Sequence, residues 1–361
     1  MDVRKKRRTS LSQTSRSIRR VPKERTHADA CPGAIDVHPA ADGGLARIRV
    51  PGGSLTKVQF RAIVTASAEL GDGQLELTSR ANFQIRGLAD GAQFELGDRM
   101  AEAGLLPSLT HERVRNIIAA PLSDDTQAVV DRLDNAICAT PELADLPGRF
   151  LVTVGSEVAG LGGDIGLIGN ALLLAGQDTG LRPTDPVTAV VEAARIFAAE
   201  RGSAWRLAEV PDLVARITAA LGTPTADRLT VTTTPPLPGP AGDRFVVGAP
   251  LGRLDARQAA ALADFPVRLT PWRSLVLPGT PDLTGLGLIT DPDSPWHGVT
   301  ACTGRPGCAK SLADVRTDAR NWLGTPHTRP VHWAGCARRC GRPSGDVIEF
   351  VATGDGYEET S

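Results

Sequence analysis

No apolar run long enough to cross a bilayer occurs in this chain. The longest, Ile165 to Gly176 (IGLIGNALLLAG), is too short and too rich in glycine, which excludes a helical membrane protein. Cysteine is also sparse. Six in 361 residues cannot staple a disulfide scaffold, and four of them crowd the last 60 residues as two close pairs, which points to metal. The basic N-terminus lacks the apolar segment a secretory signal requires, so the expected compartment is the reducing cytoplasm. Lysine is nearly missing: five, against 35 arginines, so single arginines carry little information by themselves.

What is present is ordinary for a globular protein. The apolar fraction is 41% and the charged fraction 22%, enough to bury a core and too apolar for a disordered chain. The net charge of −1 is unevenly spread. Residues 1–30 carry ten Lys or Arg against three acids, and the body is mildly acidic. Residues 1–28 read as a disordered basic tail; nucleic acid is not expected as the main partner, though the tail leaves an accessory contact open.

From Gly44 the pattern turns regular. LARIRV (45–50) reads as a strand and 55–70 as a helix. LELTS (75–79) and NFQIRGL (82–88) read as strands, and 93–103 as a helix, an α+β order like half of a ferredoxin-type unit. The order recurs over 243–279, where VRLTPWRSLVLPG aligns with LELTSRANFQIRGL through Leu77-Thr78 and Leu269-Thr270. We infer an internal duplication, one copy at about 35–230 and the other at about 240–355, joined by the proline-rich TTTPPLPGPAGD (232–243). Segments 187–200 and 207–221 have helical spacing, and a last helix is expected from Cys308 to Leu323.

The paired cysteines are Cys302-x5-Cys308 and Cys336-x3-Cys340. Four thiolates can hold a structural zinc or an iron–sulfur cluster, and loops of five and three residues suit the more widely spaced corners of a cluster. Glycines in CTGRPGC and GCARRCG let the backbone approach and donate to sulfides. A helix beginning at Cys308 would add its positive end, beside Arg305, Lys310, Arg338 and Arg339. Cys138 reads as core and Cys31 as a loop thiol.

This spacing resembles the cluster motif of the sulfite and nitrite reductase superfamily. LTSRANFQIRGL and HERVRNIIAAPL resemble its two other signatures, and the likeness covers about 31 to 355. Within it, CPGAIDVHPAADGGLARIRVPGG, RLTPWRSLVLPG and ACTGRPGCAKSLADVR look most like the precorrin-3B synthase family of cobalamin biosynthesis. The resemblance implies an α+β fold with a duplicated nitrite/sulfite reductase-like architecture. Its expected layout is a tail (1–28), a ferredoxin-like half-domain (29–105), an α/β domain (106–230), a second half-domain (231–284) and a cluster-binding α/β domain (285–361).

The resemblance further implies a [4Fe-4S] cluster on Cys302, Cys308, Cys336 and Cys340, and a mononuclear non-haem iron. The implied reaction is O2-dependent hydroxylation of precorrin-3A at C20 with γ-lactone formation. NADH is the implied external reductant, acting through a separate electron-donor reductase, since no dinucleotide fingerprint is visible. The alternative is a sirohaem-dependent sulfite or nitrite reductase. Against it, the stretch where such reductases carry two lysines is here Gly148-Arg149-Phe150-Leu151, and leucine supplies neither charge nor protons. A bare electron carrier would need no polar arginine-bearing strand.

A tetrapyrrole with up to eight carboxylates calls for arginine, which binds carboxylates bidentately and keeps its charge. Strand alternation sets Arg80, Asn82, Gln84 and Arg86 on one polar face, with Arg115, Asn116, Arg149 and Arg273 on the other signature segments. The bland reading is a solvated strand face. For the non-haem iron, His111 and His297 are candidate ligands, without diagnostic spacing.

Overall fold

The structure is a computed structural model that describes residues 29–324, 327–343 and 345–360. The basic tail lies outside the described residues. The first quarter runs β1 (His38–Ala40), β2 (Gly43–Ile48), β3 (Ser54–Leu55), α1 (Lys57–Leu70), β4 (Leu75–Leu77), β5 (Phe83–Leu88) and α2 (Ala92–Glu102). There follow β6 (Ile117–Ala119), α3 (Asp125–Cys138), β7 (Val152–Val154), α4 (Ser156–Ala159), β8 (Ile165–Ile168), β9 (Ala171–Leu174), β10 (Gln177–Leu181), α5 (Pro186–Glu200) and α6 (Pro211–Leu221). The second half repeats the start as β11 (Gly239–Ala241), β12 (Arg244–Gly248), β13 (Arg253–Leu254), α7 (Ala256–Leu262), β14 (Val267–Leu269) and β15 (Ser274–Pro278). It closes with β16 (Val299–Ala301), α8 (Val315–Trp322), β17 (Val331–Ala334), β18 (Ile348–Ala352) and β19 (Tyr357–Thr360). No described helix is long and apolar enough to cross a membrane.

The duplication extends to single dihedral angles. Thr78 and Thr270 each donate their amide to the carbonyl four residues on, Asn82 and Ser274, at 3.0 and 2.9 Å. Inside these equivalent turns Ala81 and Arg273 both take positive φ, 52° and 58°, a region that side chains avoid unless the surroundings impose it. Both helices α1 and α7 open with a capping box, Thr56 with Gln59 and Asp255 with Gln258.

The two copies are also interlocked. One sheet has the order β1-β2-β5-β4-β13, the other β11-β12-β15-β14-β3, so each copy lends a two-residue strand to its partner's sheet. Leu254 pairs with Leu75, and Leu55 with Val267. The two halves share one core, in which Phe60 stacks on Phe83 at 5.5 Å beside Leu254, Leu262 and Leu269. The proline-rich connection 232–243 ends in β11, which pairs with β12.

Each copy then adds an α/β layer. Strands β6, β7 and β8 are parallel, as are β16, β17 and β18, and each set is extended by antiparallel strands. The last expected helix is shorter than its pattern suggested. It spans Val315–Trp322, because Asp314 accepts from the Thr317 amide at 3.2 Å and caps it there. Cys308 therefore lies in the loop before α8 and does not open a helix.

Candidate functional site

A two-lobed cleft opens between the ferredoxin-like halves and the two α/β layers. Its polar lobe, about 400 Å³, is lined by Cys31, Arg47, Glu76, Arg80, Gln84, Arg149, Arg273, Arg316, Cys302 and Cys340. The second lobe, about 590 Å³, is more apolar, with Ile118, Leu151, Leu161, Trp272 and Trp296 beside Arg206 and Arg342. Ser79, Arg80, Gly252 and Arg273 line both lobes. Each has the size of a small-molecule site, about 300–1,000 Å³.

Backbone geometry places the arginines. The positive φ at Arg273 goes with a side chain that reaches the Gly341 carbonyl, beside Cys340, at 2.5 Å. Gly252 has no Cβ because one would meet the Arg273 side chain at 2.4 Å. Arg80 has no ion-pair partner among the described residues. Burial, then the repulsion of Arg206, draws it down to about 10, still charged at neutral pH. Burial likewise lowers Arg47 and Arg273. Arg149 approaches Asp29 at 3.5 Å and lies 4.8 Å over the Trp205 ring. A cluster of cations with so little compensation is built for an anion.

Along the polar lobe runs a hydrogen-bonded chain. Arg316 donates from Nε to the Cys302 carbonyl at 3.2 Å and from Nη2 to Glu76 Oε1 at 2.6 Å. Gln84 donates to Glu76 Oε2 at 2.9 Å and accepts from Arg47 Nε at 3.0 Å. Burial pushes the Glu76 carboxyl up, but Arg316, Arg86 and Arg253 together bring it below its ordinary value.

The four C-terminal cysteines gather at the carboxyl ends of β16 and β17. Burial raises the thiols of Cys302 and Cys340. The Gly335 and Gly304 amides draw Cys302 part of the way back, while Cys336 and then Cys308 push Cys340 further up. The Gly335 amide donates to Cys302 Sγ at 3.1 Å, and a Cβ on Gly335 would meet Ser311 Oγ at 1.9 Å. Among the described residues no three His, Cys, Asp or Glu side chains converge as on a single ion. Soft thiols spread over two loops, with a backbone donor on sulfur, are the donor chemistry of an iron–sulfur cluster and equally of a thiolate zinc site.

Of the residues expected to bind a tetrapyrrole, Arg80, Gln84, Arg149 and Arg273 line the cleft. The other four have structural partners. Asn82 accepts from the Val50 amide at 2.9 Å and donates to Asn116, which holds the Gly148 carbonyl at 2.9 Å. Arg86 pairs with Asp42 and the Gly307 carbonyl, and Arg115 with Asp134 and the Leu105 carbonyl. His111 does not suit an iron ligand. It is buried, Nδ1 contacts Ser108 Oγ at 2.8 Å, and Nε2 contacts the Thr140 carbonyl at 3.1 Å. His297 borders the apolar lobe, its Nδ1 3.0 Å from the Pro292 carbonyl. Sequence reasoning missed Arg47, Glu76 and Arg316. Arg47 alternates with buried Ala46 and Ile48 on β2, a signal that was available; nothing in the sequence marked Arg316.

Residues 38–103 match the nitrite/sulfite reductase ferredoxin-like half domain. A precorrin-3B synthase of Sinorhizobium sp is 23% identical over 377 aligned positions, covering 91% of this chain and 81% of that protein. A ferredoxin–nitrite reductase of Synechococcus elongatus is 26% identical, covering 83% and 74%. The solved structure of the Mycobacterium tuberculosis NirA protein superposes with a TM-score of 0.66 at 20% identity, over 88% of this chain and 73% of that one. The chain thus has the duplicated nitrite/sulfite reductase-like fold, carries that family's ferredoxin-like half domain, and is similar over most of its length to a precorrin-3B synthase and to a ferredoxin–nitrite reductase.

Proposed function

We propose that the cleft binds a tetrapyrrole polycarboxylate and that the protein is an oxidoreductase of the precorrin-3B synthase type. In that role it hydroxylates precorrin-3A at C20 with O2 and closes a γ-lactone. The observation that carries the reading is the cleft's division. One lobe offers Arg47, Arg80, Arg149 and Arg273 to carboxylates, and the other offers Trp272, Trp296 and Leu151 to an apolar ring face.

Each group has a task in that reading. The arginines bind and orient the carboxylates and remain charged throughout. Trp272 and Leu161 exclude water from the ring face. Cys302, Cys308, Cys336 and Cys340 would hold a [4Fe-4S] cluster, releasing thiol protons as it binds. When bound, such a cluster would supply single electrons, drawn from an external reductase and ultimately NADH. For a mononuclear iron His111 does not fit, since both its nitrogens are engaged, and His297 borders the lobe with only its Nδ1 at a carbonyl but makes no ligand set by itself; no step is derived through the iron.

The similarity to a nitrite reductase keeps a sirohaem enzyme as the second reading, favoured by Cys340 lining the cleft. Leu151 speaks against it. It is 4% exposed and packs with Ile118 and Val158, so no charge stands at that position.

Anaerobic purification with iron, labile-sulfide and extracted-tetrapyrrole analysis separates the two. A cluster without sirohaem, followed by O2-dependent consumption of precorrin-3A, is the expected result. Stoichiometric sirohaem would make the protein a sulfite or nitrite reductase. Cys302→Ala is expected to lose both cluster and turnover; full cluster content in that variant would remove Cys302 from the ligand set.

A further inference from the structure

Arg316 belongs to the layer that carries the cysteines, yet its side chain lines the polar lobe with Arg47 and Arg80. It is 7% exposed. Two of its three nitrogens are committed, Nε to the Cys302 carbonyl and Nη2 to Glu76. These two bonds, to elements far apart in the sequence, fix the plane of the guanidinium. The third nitrogen, Nη1, is shielded from water and has no hydrogen-bond partner. A buried guanidinium donor left unmade is costly, and native proteins rarely tolerate one without a ligand or ordered water to take it. Glu76 does not neutralise the surroundings, because Arg253 and Arg86 also act on it.

We propose that Arg316 is a ligand-binding residue, whose guanidinium, on the lining of the polar lobe, donates to one carboxylate of the tetrapyrrole at the edge of the cleft nearest Cys302. The inference rests on the tetrapyrrole reading and adds to it a contact from the cysteine-bearing layer. Glu76 is then a positioning residue that holds the guanidinium in place. The bond from Nε to the Cys302 carbonyl gives an occupied site a direct connection to the backbone of a cysteine ligand.

The probe is uroporphyrin III, a tetrapyrrole with four acetates and four propionates, titrated into the full-length protein and followed by its fluorescence. Arg316→Lys keeps the charge beside Glu76 but loses the planar fork. It is expected to weaken binding by about tenfold or more. Should that variant fail to fold, the neutral pair Glu76→Gln/Arg316→Gln, which leaves no lone buried charge, is expected to show a similar loss. Wild-type affinity retained within twofold by either folded variant would overturn the proposal and leave the tetrapyrrole reading standing. A wild-type protein that does not bind the probe would overturn both.

Discussion

Arg80 and Arg86 sit six residues apart on one signature segment, and they end in opposite roles. Arg86 is clamped by both oxygens of Asp42 and by the Gly307 carbonyl, while Arg80 stands in the cleft with other cations around it. Strand alternation expects both on one polar face, but Arg80 lies in the turn before β5, and alternation could not say which would be neutralised. The deciding partners lie 44 and 221 residues away. Asp178 is the contrary case, neutralised mostly by near neighbours: its carboxylate receives two Arg182 nitrogens and the amides of Gly180 and Leu229 at 2.7–2.8 Å. The bonds from Arg182, with those amides, hold it down to about 2. Because the folded value lies below the unfolded one, its contribution is complete above pH 4 and is lost as the pH falls toward 2. Asp178→Asn is therefore expected to cost about 1–2 kcal/mol at neutral pH. Denaturant unfolding from pH 7 downward should show the gap to wild type constant to pH 4 and narrowing below it.

At the scale of elements, the longer helices and strands were legible because each buries one face over several turns or residues. Helix α1 and strand β5 follow their patterns, with Phe60, Ile63, Phe83 and Ile85 fully buried. The exchanged strands were not legible. Two residues, Ser54–Leu55 or Arg253–Leu254, are too few to show a period. The start of the last helix was not legible either: the pattern expects it at Cys308, while the Asp314 cap sets it at Val315. The turn before β3 offers a test of the exchange. Gly53 has φ of 75°, and a Cβ there would lie 2.2 Å from the Leu269 carbonyl oxygen on the partner sheet's strand. Gly53→Ala is expected to destabilise the protein by about 2–4 kcal/mol, from the left-handed backbone and the backbone clash together. Gly242→Ala, where a Cβ meets nothing within 4 Å, carries the backbone cost alone and should lose about 1–2 kcal/mol. Equal losses in thermal denaturation would show that the close strand approach is not what Gly53 serves.

Over the whole molecule the reciprocal strands, the shared core and the cleft are one arrangement. The duplication was visible in the repeated Leu-Thr turn, and the cysteine pairs marked where the second layer turns toward the cleft. How the copies close on each other was not visible, since contacts such as Arg316 with Glu76, 240 residues apart, exist only after both have folded. Arg268 ties the second half to the Pro121 and Ser123 carbonyls in the same way. Neither copy can complete its sheet alone: without β13 the edge of β4 is bare, and without β3 so is β14. An open edge above an exposed core face is an aggregation hazard. Cutting the chain in the exposed segment 222–224 should therefore give two fragments that are unfolded or aggregated when made separately. Made together, they should recover a 1:1 complex with the wild-type circular dichroism and one cooperative melt. A first fragment that folded and melted cooperatively by itself would show that the exchanged strands are accessories, and that the cleft is assembled from two independent halves.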